Sequence, residues 1–291
     1  MLLLLHLPSS FDHLSITRVS IQFIYWQHIY EDFHNTEPTM IANFTRRTFA
    51  NLSIKAPNVA IVLSGSGVYD GSEITEGIAT LVHLSRFDAT FQCYAPDKIQ
   101  LHAVDHTTGT EHEESRNVLQ ESARIARGDV KALDELQESN YDAIIFPGGF
   151  GAAKNLSTWA TEGIDGSVDL EVEKAIQSFH AAGKPIGACC IAPVLVGKCI
   201  PGCTLTVGSG DTSDEENWPY AGTVGQLEAL GCVHETTDIH GVTIDVQNKI
   251  VTSPAYMYNG KPHEVFDSVG QMVEGVLKFA FGAKLAEGTK Q

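Results

Sequence analysis

The feature that most constrains this chain is a series of short apolar runs, each stopped by glycine or proline and followed by helical spacing. Asn58–Ser64 (NVAIVLS) ends in Gly65-Ser66-Gly67, and Ala143–Phe146 (AIIF) ends in Pro147-Gly148-Gly149. Pro185–Cys190 runs straight into the apolar segment Ile191–Lys198. Runs that are apolar throughout, rather than alternating, belong to strands buried on both faces. Such strands need helices above and below a mostly parallel sheet.

The intervening segments supply those helices. Ile74, Ile78, Leu81 and Val82 fall on one helical stripe, taken here as the buried one, with Asp70 and Glu73 spaced like a capping box. Asn117–Arg127 reads as a helix. Another carries Val168, Val172, Ile176 and Phe179 and stops at Gly183, and His263 to Phe281 closes the chain as an amphipathic helix. Ala89–Tyr94 and Thr204–Val207 read as further strands, Asp105 to Gly109 as a turn, and Val224–Leu230 as a short helix. Val242–Val246 with Ile250–Ser253 reads as a hairpin. The expectation is one α/β domain over residues 58–291.

Charge is distributed unevenly along the 291 residues. The formal charge of −17 comes from 19 basic and 36 acidic side chains, a balance that argues against nucleic acid or an anionic membrane as partner. Residues 1 to 57 are neutral: Arg18, Arg46, Arg47 and Lys55 balance Asp12, Glu31, Asp32 and Glu37. Within this leader, Met40 to Pro57 (MIANFTRRTFANLSIKAP) has basic residues and hydroxyls, and no acid. That is the composition of a mitochondrial transit peptide, and residues 40–57 are assigned as one, with a disordered tail as the alternative. Residues 1–39 fit no targeting signal. They are expected to be a non-native or minor-isoform extension, with translation starting at Met40.

Three constellations carry chemistry. In Gly187-Ala188-Cys189-Cys190-Ile191-Ala192-Pro193 the run ends in two cysteines. A nucleophile on a sharp strand-to-helix turn needs small residues two before and two after it. Cys190 has Ala188 and Ala192, whereas Cys189 has Gly187 and Ile191, so Cys190 is the better nucleophile. The helix start after it is expected to lower its pKa. Pro147-Gly148-Gly149 offers backbone N–H groups for an oxyanion, with Ile191 as a second source. Glu73 opens the first helix, as a capping glutamate or as a carboxylate reaching the thiol for general acid–base work. Gly65-Ser66-Gly67-Val68-Tyr69-Asp70-Gly71 has its third glycine one position late for a dinucleotide fingerprint. Cys199-x3-Cys203 and Cys232-x-His234-x5-His240 lack the paired spacing of structural zinc. Neither a metal nor a cofactor is expected.

The segments VLSGSGVYDGSEITE, YAPDK, ESRNVL, FPGGFGAAKNLS, CCIAPVL, NWPYAGT and IVTSPAYM together resemble the bacterial ElbB-like glyoxalases. They are still more similar to the mitochondrial glutamine-amidotransferase-like class 1 domain proteins of animals, within the PfpI superfamily that includes the parkinsonism-associated deglycase. The resemblance spans Asn58 to Leu277. It implies a flavodoxin-like three-layer sandwich of the class I glutamine amidotransferase-like type, Cys190 as elbow nucleophile, Glu73 as its carboxylate partner, and a homodimer. It also implies a cofactor-independent glyoxalase or deglycase acting on glyoxal or early glyoxal adducts.

Two departures narrow this. A working glutaminase has a glycine-flanked cysteine and a downstream His-x-Glu, but alanines flank Cys190 and the only His-x-Glu, at His112-Glu113-Glu114, lies upstream. Proteases of the superfamily carry histidine directly after the cysteine, where this chain has Ile191. Glutamine hydrolysis and proteolysis are both disfavoured. The alternative from another class is a non-catalytic, metabolite-binding or redox-sensing protein with a reactive cysteine.

Overall fold

A computed structural model describes residues 56 to 288. The leader assignments over residues 1–39 and nearly all of 40–57 lie outside the described residues. The strands are β1 (Asn58–Val62), β2 (Thr90–Ala95), β3 (Ala103–Asp105), β4 (Thr110–His112), β5 (Val130–Ala132) and β6 (Ala143–Phe146), then β7 (Ile186–Cys189), β8 (Thr204–Leu205), β9 (Val233–His234), β10 (Thr243–Asp245) and β11 (Ile250–Ser253). The helices are α1 (Ile74–Arg86), α2 (Val118–Ile125), α3 (Phe150–Lys154), α4 (Trp159–Glu162), α5 (Leu170–Ala181), α6 (Pro193–Cys199), α7 (Thr223–Ala229) and α8 (Pro262–Gly288).

Seven strands form the central sheet in the order β10-β11-β7-β6-β1-β2-β5, and only β10 runs antiparallel. The apolar runs occupy its middle: every residue of β6, β7 and β11 is buried. The chain steps from β1 to β2 in one direction and from β6 to β7 in the other. Right-handed crossovers therefore put α1 and α5 on opposite faces. α8 packs beside α1, and α5 lies over β6 and β7 against α6. This is the mostly parallel, doubly covered sheet of the flavodoxin-like sandwich. Its crossover direction reverses between β1 and β6, where such sheets bind ligands at the strands' carboxyl ends.

Several expectations are corrected. The apolar stripe of α1 is not the buried one: Ile74 is 51% and Ile78 39% exposed. Glu76, Gly77, Ala79, Thr80 and Leu84 face inward instead. The reason is close approach, since a Cβ on Gly77 would stand 3.3 Å from Ile125. The turn at Asp105 to Gly109 is the tip of a β3–β4 hairpin, and β8 pairs with β9 in a separate two-stranded sheet. α6 starts at Pro193, so its first turn lies beyond Ile191.

Candidate active site

Three loops converge at that reversal. The loop after β1, residues 63 to 73, folds back on itself. The Asn155 amide clamps it by donating to the Ser64 and Asp70 carbonyls, both at 2.8 Å. Gly71 packs so tightly against Ser66 that any Cβ would lie 2.2 Å from the Ser66 nitrogen. The loop delivers the chain into α1 with Glu73 at the N-cap, its carboxylate accepting the Glu76 N–H at 2.8 Å. Asp70 takes no part in that cap. It is buried and accepts the Val104 N–H at 2.7 Å.

The loop after β6 is held to the same helix through one residue, Gly148. The Gly148 carbonyl accepts the Glu73 N–H at 2.9 Å, and the Gly148 N–H donates to Glu76 Oε2 at 2.9 Å. A reciprocal capping box would turn Glu76 back onto the N-cap backbone. Here Glu76 is diverted inward, beneath the third loop. A Cβ on Gly148 would sit 2.5 Å from Cys190 Cβ and 2.7 Å from Glu76 Oε2, so glycine alone fits. Gly149 has φ +96, and a Cβ there would meet the Glu73 nitrogen at 2.3 Å.

Cys190 itself has φ +58 just after β7 and donates its N–H to the Ser253 carbonyl on neighbouring β11 at 3.1 Å. Left-handed backbone on a non-glycine residue costs roughly 1–3 kcal/mol and persists only where the surroundings impose it. Fully buried Ala188 and Ala192 leave room for this turn. The two cysteines are thereby separated in role. Cys190 opens on a cavity of about 300 Å³, whereas Cys189 is wholly buried outside it. Tyr69, Glu73, Phe150, Tyr220, Tyr256 and Tyr258 wall this cavity. A second hollow of about 410 Å³, between α1, β2 and α2, holds no comparable set of reactive groups.

The carboxyl that meets the thiol is Glu76, which corrects the expectation for Glu73. Glu76 is fully buried, and its Oε1 accepts the Tyr256 N–H at 3.1 Å. Cys189 Sγ lies 3.7 Å from Oε2, and Cys190 hydrogen-bonds to the same carboxyl. Burial, aided by the nearby charge of Glu73, lifts the Glu76 pKa to about 8 against the two backbone donors that favour its anion. Glu73 remains on the cavity wall with one oxygen spent on its cap.

The expected lowering of the Cys190 pKa is reversed. Burial, then the charge of Glu76, pushes the thiol up, and the N–H groups of Gly149 and Ile191 directed at the sulfur offset only part of this. Both groups are therefore protonated at rest, and the first proton to leave is shared between them. When the proton resides on Glu76, the repulsion vanishes and its O–H becomes a donor to the thiolate. Of the expected backbone donors, Gly149 and Ile191 face the sulfur, while the Gly148 N–H is committed to Glu76.

No histidine is among the residues lining the cavity. Cys203 and Cys232 meet side by side where β8 and β9 begin, and His234 accepts the Val207 N–H at 3.3 Å. Among the described residues, no group of three His, Cys, Asp or Glu side chains is arranged to hold a metal ion. No helix among them is long and apolar enough to cross a membrane. Sequence reasoning missed Glu76 and the tyrosine wall. The available signals were an acidic residue among the small residues of ITEGIAT, and the tyrosines inside NWPYAGT and SPAYM.

No model of a protein family matches the chain. It is 52% identical over 237 residues to the human protein named glutamine amidotransferase-like class 1 domain-containing protein 3, mitochondrial, covering 80% of this chain and 88% of that one. It is 53% identical over 221 residues to the rat ES1 protein homolog, mitochondrial, covering 76% and 83%. It is 35% identical over 230 residues to the zebrafish ES1 protein, mitochondrial, covering 76% and 85%. Among solved structures, an isoprenoid biosynthesis protein with amidotransferase-like domain from Ehrlichia chaffeensis superposes with a TM-score of 0.68 at 33% identity. That match covers 77% of this chain and 99% of the other.

Proposed function

The chain belongs to the family of mitochondrial glutamine-amidotransferase-like class 1 (ES1) proteins, and on that premise we propose that it is a cofactor-independent thiol enzyme of the glyoxalase or deglycase type. One observation carries the reading. A fully buried carboxyl with its pKa raised to about 8 is hydrogen-bonded to the thiol of a cysteine held at φ +58. Perturbed acid–base pairs of this kind, placed beside a cavity, are the signature of a site built for proton transfer.

The reaction follows from what the groups can do. The Cys190 proton passes to Glu76 as sulfur attacks one aldehyde carbon of glyoxal. The Gly149 and Ile191 N–H groups receive the oxygen charge, and Glu76 returns the proton to that oxygen, giving a hemithioacetal. Glu76 then takes the proton from the sulfur-bearing carbon while the neighbouring carbonyl oxygen gains one, giving an enediol. The hydroxyl on the sulfur-bearing carbon next loses its proton as the neighbouring carbon gains one, which leaves the thioester of glycolate. Water cleaves the S–C bond, and glycolate and the free thiol result. Glyoxal plus water equals glycolic acid, so no external oxidant or reductant is consumed. An early glyoxal adduct on a protein side chain would enter the same route through its carbonyl carbon. Glu73, first assigned this relay, lines the cavity and takes the part of a binding group in this reading. The homodimer remains part of the proposal, and sedimentation of the purified protein tests it.

The decisive experiment is glycolate formation from glyoxal. The Cys190→Ser variant should lose roughly a thousandfold or more in kcat/KM while keeping its far-UV spectrum and Tm. Equal turnover by wild type and variant would sink the reading. Because the reactive state carries one proton on the Cys190–Glu76 pair, wild-type kcat/KM should rise with pH through about 8.

A further inference from the structure

Glyoxal leaves most of this cavity empty. A volume of about 300 Å³ equals that of about ten waters at ~30 Å³ each, and a two-carbon dialdehyde fills only a fraction of it. The wall is also one-sided in charge. Tyr69, Phe150, Tyr220, Tyr256 and Tyr258 present aromatic rings and Glu73 a carboxylate, and no Lys, Arg or His is among the lining residues. Lys154, on α3, is engaged beside two of these residues. Its ammonium donates to the Tyr69 carbonyl at 2.9 Å, stands 5.9 Å from the centre of the Phe150 ring, and is not among the lining residues. Burial raises the pKa of Tyr220 and of Tyr256, so these phenols stay neutral.

Ring faces carry negative quadrupole density and attract cations. A carboxylated substrate entering here would give up its water to face Glu73 and those rings, with no basic side chain among the lining residues to receive it. A cation gains from both. The net charge of −17 extends the same preference to the encounter in solution.

We propose that the electrophile delivered to Cys190 is a carbonyl borne on a positively charged group, an alkylammonium or guanidinium, with the aromatic wall and Glu73 holding the cation. The inference rests on Cys190 being the nucleophile of the site. The covalent step is simple addition. The S–C bond forms, the carbonyl π pair moves to oxygen, and the thiol proton reaches that oxygen through Glu76; nothing is oxidised or reduced.

Protection of Cys190 from iodoacetamide, read by peptide mass spectrometry on the full-length protein, tests this without requiring turnover. The probes are betaine aldehyde, its uncharged isostere 3,3-dimethylbutanal, and glyoxylate. Betaine aldehyde should protect at about tenfold lower concentration than the isostere, the order expected of a partly desolvated cation–π site. Glyoxylate should protect least. The Glu73→Gln variant, which keeps a capping oxygen, should narrow the gap between the cation and its isostere. Equal protection by those two, best protection by glyoxylate, or no protection by any aldehyde would overturn the proposal. Loss of the catalytic reading is seen separately, in equal glyoxal turnover by wild type and Cys190→Ser.

Discussion

Glu76 is the residue on which chemistry and stability meet. Its pKa rises from 4.5 to about 8 on folding, so the folded state binds the proton more tightly than the unfolded chain. The stabilisation is fully present below pH 4.5 and is lost as pH climbs through about 8, where the carboxylate must ionise inside the protein. The swing amounts to at most about 5 kcal/mol at roughly 1.4 kcal/mol per pH unit. Melting curves of wild type and Glu76→Gln across pH 5 to 9 should therefore diverge, the wild type losing ground with rising pH. Curves that stay parallel would show the carboxyl to be neither buried nor shifted. In turnover, Glu76→Gln should cost roughly 10²–10⁴-fold, because an amide cannot take the thiol proton. Gly148→Ala places a methyl carbon 2.5 Å from Cys190 Cβ and 2.7 Å from Glu76 Oε2. We expect it to lower both Tm and the rate of Cys190 alkylation, and an unchanged alkylation rate would refute the packing around the pair.

Among the elements, α1 is the informative one. Its Ile74 is half exposed, whereas Leu84 is fully buried. Ile74→Ala should change stability by less than about 0.5 kcal/mol, and Leu84→Ala should cost about 2–5 kcal/mol. Urea titration of the two variants distinguishes this orientation from the reverse, in which the costs exchange places. The helix itself was legible: the spacing of Ile74, Ile78, Leu81 and Val82 is helical, and the observed element begins at Ile74. Its orientation was not. Periodicity states which residues share a face, but the face that packs is the one whose shape fits. Against α2 and α8 a ridge of small residues fits better than isoleucines. The same fit carries Glu76 inward, so one misread orientation hid both the buried face and the acid–base partner.

At the scale of the whole molecule, α8 packs tightly on one face of β7, the strand that leads into Cys190. A Cβ on Gly187 would lie 2.6 Å from Met272 Sδ and 2.8 Å from Val276 on α8, and 3.1 Å from Ile145 on β6. Gly187→Val should therefore push α8 from the sheet, costing about 1–3 kcal/mol by overpacking. Differential scanning calorimetry should show a lower Tm, and an unaltered Tm would mean that α8 is not held this closely. The sequence by itself determined six of the seven strands of the central sheet, all but the edge strand β5, together with the mostly parallel architecture and the segregation of charge between residues 1–57 and the rest. These are properties of local spacing and residue size, and neighbours in the chain express them. Only the tertiary structure decided that Glu76 rather than Glu73 touches the thiol, that Gly148 serves Glu76 while Gly149 and Ile191 serve the sulfur, and that tyrosines wall the cavity. Those facts depend on which surfaces meet across 70 to 180 residues of chain. Burial and the field of a neighbouring carboxyl, which move a pKa, arise only when they do meet.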